Sequence, residues 1–172
     1  GILNWLSGDV FTRQWYTYAY GHGSGLKLHV DNRFDKIYDY WKCKGDFGSC
    51  MTGRNRDEFY AYSVNAKAAY ITDEQDYIVA RAILFTDVTD QHGKKWRLLE
   101  RQYASNKDDT LKRLLIDKLI HGEYIDGYKV IGASCSDADA FVDISGNSLK
   151  NKKFEIDCRL DIRDTLSYQD SF

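Results

Sequence analysis

Ala66-Lys-Ala-Ala-Tyr-Ile-Thr72, then Asp73-Glu-Gln-Asp76, then Tyr77-Ile-Val-Ala-Arg-Ala-Ile-Leu-Phe85 is the stretch on which the fold turns. A strand-like run, a polar turn and a strongly β-prone run follow one another directly, which is the pattern of a hairpin. Asp87–Lys95, with Gly93 inside it, reads as a loop, and Trp96–Tyr103 reads as a third strand. The centre of the chain is therefore expected to be an antiparallel meander.

Working outward, Asn106-Lys-Asp-Asp-Thr110 is a capping cluster. Behind it Leu111, Leu114, Leu115, Lys118 and Leu119 repeat at helical spacing, so an amphipathic helix is expected to run to Gly122. Tyr128–Gly132 then gives a fourth strand, brought beside the meander by a β-helix-β connection. Phe141–Ile144 and Phe154–Leu160 are further strands, separated by the turn Ser145-Gly-Asn-Ser148. Upstream, Leu6, Val10, Phe11, Trp15 and Tyr18 lie on one helical stripe that Gly21-His-Gly-Ser-Gly25 breaks. Leu26–Val30 alternates as a short strand. Asp31 or Asn32 is expected to cap a helix whose apolar face is Phe34, Ile37, Tyr38 and Trp41, and Asp57–Tyr62 a helical turn. The fold class is α+β: one domain over 1–172, with a mixed, mostly antiparallel sheet flanked by helices. A helical N-terminal part covers 1–47, the central sheet and helix 66–132, and C-terminal strands 139–168.

Composition bounds the function. Of 172 residues, 43% are hydrophobic and 29% charged, enough for a sizeable core under a wet surface, and there is no proline. At the usual frequency of about 5% some nine prolines would be expected, so Pro-rich linkers and PxxP ligands are excluded. A net charge of -2 supplies no field that would draw the protein to nucleic acid or anionic lipid. Lys94, Lys95, Arg97 and Arg101, beside Arg81, are the best local basic cluster, or else a solvated loop and strand edge. No run approaches the length of a membrane span, and the first residues lack the basic start and apolar run of a signal peptide. The leading Gly1 suggests a trimmed or processed start, with Trp5 where an N-myristoylation signal wants Ser or Thr. Four cysteines, Cys43, Cys50, Cys135 and Cys158, are too few for a disulfide scaffold, and free thiols are expected.

Arg81 is the most informative single residue. Alternation places it with Val79, Ile83 and Phe85 on one face, where an unpaired charge is very costly. If Phe85 pairs with Trp96, Arg81 falls opposite Glu100, giving a cross-strand ion pair that pins the register; the other reading is an anion or substrate clamp. Arg101 and Tyr103 would then point to the opposite face. Cys50 follows a Gly-Ser turn in a setting that lowers a thiol pKa, although none of His22, His29, His92 or His121 completes a Cys-His signature, and a packed thiol is the simpler explanation. His22, His29, Cys43 and Cys50 are spaced more widely than structural zinc ligands, so neither a metal nor a cofactor is expected. Tyrosines number 13 and cluster in Trp15–Tyr20, Tyr38–Trp41 and Phe59–Tyr62, a supply of aromatic surface for a partner as well as for the core.

Two resemblances extend this reading. Gly48-Ser-Cys-Met51, Arg81-Ala-Ile-Leu84, Glu100-Arg-Gln-Tyr103 and Asp164-Thr-Leu-Ser-Tyr168, in this order and spacing, resemble an uncharacterised family of tailed-bacteriophage proteins. That family reads Gly-x-Ser-Cys-Met, Arg-Ala-Leu-Leu, Asp-Arg-x-Tyr and Asp-Thr-x-x-Tyr; here Glu100 stands for Asp, and Ala66 stands where Pro would follow Asn. The order helices, meander, capped helix, strand is similar to the GNAT N-acyltransferase core. The stretch matching that superfamily's Gly-rich pyrophosphate cradle, Gln102–Thr110, carries no glycine, and Asp108 and Asp109 stand where they would repel a pyrophosphate.

The phage-family resemblance implies an origin rather than an activity. Because no complete catalytic constellation is found among the residues, the expectation is a phage-type accessory protein in the host bacterial cytoplasm, without catalysis of its own. It would bind a host or phage macromolecule through an aromatic, partly acidic surface, with antagonism of host defence as one role. A host or phage protein is the expected partner, nucleic acid is less favoured, and no membrane is involved. The alternatives are a GNAT-like transferase with Arg81, Arg101 and Tyr103 near the site and Glu100 as an orienting or basic group, and a Cys50-dependent hydrolase or transferase.

Overall fold

The computed structural model describes residues 25–49, 51–53 and 64–156, and the hairpin read from the central stretch is its spine. In chain order the elements are β1 (Lys27–Asp31), α1 (Phe34–Ile37), β2 (Ala66–Thr72), β3 (Ile78–Thr89), β4 (Lys95–Leu99) and β5 (Tyr103–Ala104). A 3-10 turn (Ser105–Lys107), α2 (Asp109–His121), β6 (Gly127–Lys129), β7 (Phe141–Asp143) and β8 (Glu155–Ile156) complete them. The sheet runs β1-β2-β3-β4-β6-β7, with β5 and β8 each pairing separate stretches of β3. Every pairing is antiparallel except β4 with β6, which the α2 crossover makes parallel. The fold is therefore α+β, with a mixed, mostly antiparallel sheet.

Each face of the sheet carries its own apolar layer. On one side Leu111, Leu114, Leu115, Ile116 and Leu119 of α2 pack on Ala69, Ile71, Ala80, Ala82, Leu84, Leu99 and Ala104. Alanines in the sheet let the helix approach closely, and the leucines fill the gap. On the other side Phe34 and Ile37 of α1 join Tyr38, Phe47, Met51, Tyr70, Ile83, Phe85, Tyr103 and Phe141. Gly127 is required where β6 is squeezed between its neighbours: a Cβ there would sit 2.7 Å from the Val142 carbonyl oxygen and 2.9 Å from Leu98 Cδ2.

Asp108 caps α2, its carboxylate accepting from the Thr110 backbone N–H at 2.9 Å and from the Thr110 hydroxyl. Asp108→Ala is expected to cost about 1 kcal/mol, measured as a lowered urea midpoint at an unchanged m-value.

The β3–β4 turn differs from expectation. The loop predicted over Asp87–Lys95 shrinks because β3 continues to Thr89 and β4 begins at Lys95, leaving a tight turn closed by Asp90 N–H to Lys94 O at 2.9 Å, with Gly93 at φ +81°. Asp90 organises it, accepting from the backbone of His92 and Lys94 and from Trp96 Nε1. Burial opposes its charge, yet these hydrogen bonds and nearby Lys152 hold the carboxyl down at about 2. A depressed carboxyl stabilises the fold above its unfolded value, near 4. Wild type is thus expected to lose stability between pH of about 4 and about 2 more steeply than Asp90→Asn, measured by urea unfolding of both across that range.

Other expectations are corrected. The strand read over Leu26–Val30 is present as Lys27–Asp31, but the helix expected after it has only four residues. Its N-cap is Arg33, with no side-chain cap, and Trp41 does not join its apolar face but is 80% exposed. The strand predicted over Trp96–Tyr103 is broken at Glu100–Gln102. Trp5–Tyr20, Cys50, Asp57–Tyr62, Cys158 and Asp164–Tyr168 lie outside the described residues.

Candidate functional site

Arg81 leaves β3 on the α1 side and is completely buried. Its Cζ lies 4.7 Å from the ring centre of Tyr38, 4.9 Å from that of Tyr103 and 5.7 Å from that of Phe47. Nη2 donates to Thr52 Oγ1 at 2.9 Å. Three π-faces around a desolvated guanidinium replace part of the hydration it has lost.

The predicted register does not hold. Phe85 pairs with Leu98, and Trp96 with Val88 across a bulge, because the turn is tighter than the loop from which the register was counted. Arg81 consequently stands opposite Tyr103 rather than opposite Glu100. Tyr103 also packs on the Arg81 side of the sheet, not on the opposite one, and its ring takes a second guanidinium, Arg101, at 5.0 Å. Val79 leaves that side for the α2 layer, turned by the bulge at Ile71/Thr72. The ring of Tyr103 thus unites three of the predicted residues, Arg81, Arg101 and Tyr103.

Glu100 donates its backbone N–H to Ile83 O at 2.8 Å, while its carboxylate pairs with Lys129 of β6, both side chains fully buried. Lys129 Nζ also donates to Cys135 O at 3.1 Å and lies 5.1 Å from the Phe141 ring centre. Gln102 completes the join: its Nε2 donates to Glu100 O at 3.0 Å and to Lys129 O at 2.9 Å. The side-chain amide thus serves carbonyls where the β4 ladder is interrupted, as buried polar atoms require. Lys129 carried no signal in the sequence beyond its place in an apolar strand.

Cys43 is buried, with Sγ donating to Ile37 O at 3.4 Å; burial pushes the thiol up, against the pull of Arg81. His29 is stacked on Tyr70 at 4.7 Å and bonded through Nε2 to Thr72 Oγ1 at 2.8 Å. Burial and the Asp31 carboxylate together push the Tyr70 phenol well above its usual range. Cys43 and His29 are thus engaged in separate contacts, while their proposed fellow ligands His22 and Cys50 lie outside the described residues, among which no His/Cys/Asp/Glu cluster is arranged for a metal.

The basic cluster is dispersed. Arg97 holds Asp126 through two hydrogen bonds of 3.0 Å, Lys95 pairs with Asp87 at 2.8 Å, and Lys94 lies over Trp96. No helix of the described residues is long and apolar enough to cross a membrane.

Among the described residues an accessible hollow adjoins Thr52. The hollow, of about 520 Å³, is lined by Tyr40, Asp46, Phe47, Ser49 and Thr52 with Gly45 and Gly48, a size that suits a small ligand or an inserted side chain. Its loop is tied to the start of α2: Ser105 Oγ donates to Lys44 O, Asn106 Oδ1 accepts from the Asp46 backbone N–H at 3.3 Å, and Lys107 Nζ lies 3.7 Å from Asp46. Beside it, Tyr40 and Trp41 are 64% and 80% exposed and meet edge to face at 5.3 Å. Tyr40 lines the hollow and Trp41 packs against Tyr40, so two large aromatics are left in water side by side. Sequence periodicity had assigned Trp41 to the core, and the hollow has no sequence signature.

Compared with protein-family models, with curated proteins and with solved structures, the chain finds no match in any of the three.

Proposed function

We propose that this chain is a phage-type accessory protein that acts by docking on a host or phage protein, and that antagonism of a host defence is its role. The observation that carries the docking reading is the exposed Tyr40–Trp41 pair beside the hollow. Two of the candidate catalytic residues support it from the other direction, since Arg81 and Glu100 have no solvent contact. The phage assignment rests on the four sequence motifs.

Trp41→Ala is expected to weaken partner binding at least about tenfold, as loss of an interface anchor does, with no change in Tm. The test is quantitative capture from lysate of infected bacteria, comparing wild type and Trp41→Ala, with the retained protein then titrated in purified form. A partner held equally by both variants would sink the assignment of the surface.

The chain path favours a second reading. The three-strand meander β2–β4, the crossover α2 and the parallel strand β6 come in the order on which the GNAT resemblance rests, and this supports a transferase of that kind with Arg81, Arg101 and Tyr103 near the reacting groups. Against it, the place of the pyrophosphate cradle is taken by Ser105–Lys107, where Asn106 and Lys107 are left-handed without glycine, and by the carboxylate of Asp108 at the helix start. Calorimetry with acyl-CoA compounds separates the two readings: specific micromolar binding would favour the transferase.

A further inference from the structure

β1 pairs with β2 along one edge, and among the described residues no strand pairs with its other edge. Sheets usually protect such an edge with proline, a bulge, a short strand or charged side chains such as lysine. β1 has neither proline nor bulge, five residues pairing one to one with β2 from Lys27 with Thr72 through to Asp31 with Ala68, and its lysine repels a second strand only if no carboxylate meets it there.

Its sequence, Lys27-Leu-His-Val-Asp31, complements itself when read against a reversed copy. Centred on His29, Lys27 falls opposite Asp31 of the copy, Leu28 opposite Val30, and His29 opposite His29. Opposite charges directly across an antiparallel pair attract, and apolar pairs pack. The two faces also agree with the rest of the sheet. Leu28 and Val30 lie half-buried at the margin of the α2 layer, so a copy would finish covering them. Lys27, His29 and Asp31 share the other face. There Lys27 is exposed and has no ion pair among the described residues, and Asp31 is held in place by Tyr70 Oη at 2.8 Å and by the Arg33 backbone N–H at 2.9 Å. A carboxylate has further acceptor sites beyond these two.

We propose that β1 is a dimer interface: two copies of this chain join β1 to β1 antiparallel about a two-fold axis at His29, fusing their sheets into one. The interface is isologous, as a two-fold contact between identical chains must be.

Sedimentation equilibrium of the full chain is expected to show a concentration-dependent dimer. Lys27→Asp sets like charges against Asp31 of the copy and should weaken dimerisation about tenfold. Asp31→Lys should do the same, while mixing the two variants makes both pairs opposite in sign and restores wild-type association as a heterodimer. Because Asp31→Lys also removes the acceptor of the Tyr70 hydroxyl, cysteine cross-linking gives an independent reading of the register. Residues directly opposite have Cα atoms about 5 Å apart, within disulfide reach, whereas two copies of residue 27 would be about 13 Å apart in this register. Under mild oxidation His29→Cys should therefore form a covalent dimer that neither wild type nor Lys27→Cys forms. A wild-type protein that stays monomeric at millimolar concentration, or one that cross-links equally well at 27 and 29, would overturn the proposal. So would a dimer whose affinity Lys27→Asp leaves unchanged.

Discussion

Lys129→Met is expected to destabilise the fold by about 3–5 kcal/mol, the usual result of removing one partner of a buried ion pair. Lys129 and Glu100 are both fully buried, so the substitution strips a counter-charge from a carboxylate that water does not reach. The contact with Cys135 O goes as well, loosening the chain that follows β6. Urea unfolding measures the loss, and an unchanged m-value would show that the native fold persists. The paired variant Glu100→Leu with Lys129→Met supplies the contrast: removing both charges and keeping the volume should recover most of the deficit, because well-packed apolar replacements of buried ion pairs are often neutral or stabilising. A Lys129→Met variant as stable as wild type would mean that the pair contributes nothing to holding β6 against β4.

Arg81→Ala is expected to lower stability by about 3 kcal/mol or more, combining an unfilled cavity with the loss of desolvated cation–π contacts. The guanidinium joins Tyr38 and Phe47, beyond α1, to Tyr103 of β5 and to Thr52, so it ties the loops on this face to the centre of the sheet. Arg81→Lys keeps the charge but not the planar fork that stacks and bonds at once, and should lie between alanine and wild type. Near-UV circular dichroism of the tyrosines should weaken in the same order. At temperatures where Arg81→Ala is still folded, partner affinity should stay within about twofold of wild type, since Arg81 is covered and the docking aromatics are not. A large affinity loss in the folded variant would instead assign Arg81 a direct part in binding.

Much of the framework was legible in the chain. β2 has the bounds read from its residues, Ala66–Thr72, because β-prone residues between turn signals decide a strand locally. α2 begins and ends where Asp108 and Gly122 place it, since capping is an interaction between near neighbours. The buried charge at Arg81 was equally readable, as a long polar residue in an apolar alternation has few places to go.

The partners of that charge were not readable. Which residue faces Arg81 depends on the length of a turn and on two bulges, each of which shifts the register by whole residues. A turn closed at Asp90 instead of a longer loop moved Tyr103 opposite Arg81 and sent Glu100 to Lys129, 29 positions away in sequence. Trp41 shows the same limit in a helix: its spacing from Phe34 and Tyr38 fits an apolar face, but α1 ends at Ile37, and a side chain beyond the last turn no longer follows the helical period.

The sequence by itself determined the α+β class, the meander, the capped crossover helix and the presence of a buried arginine, because propensity, capping and periodicity act over a few residues. Only the tertiary structure decided the Glu100–Lys129 pair, the exposure of Trp41, the hollow at Thr52 and, among the described residues, the unpaired edge of β1. Each of these depends on which distant segments meet, and that is settled by register and packing, which no local pattern encodes.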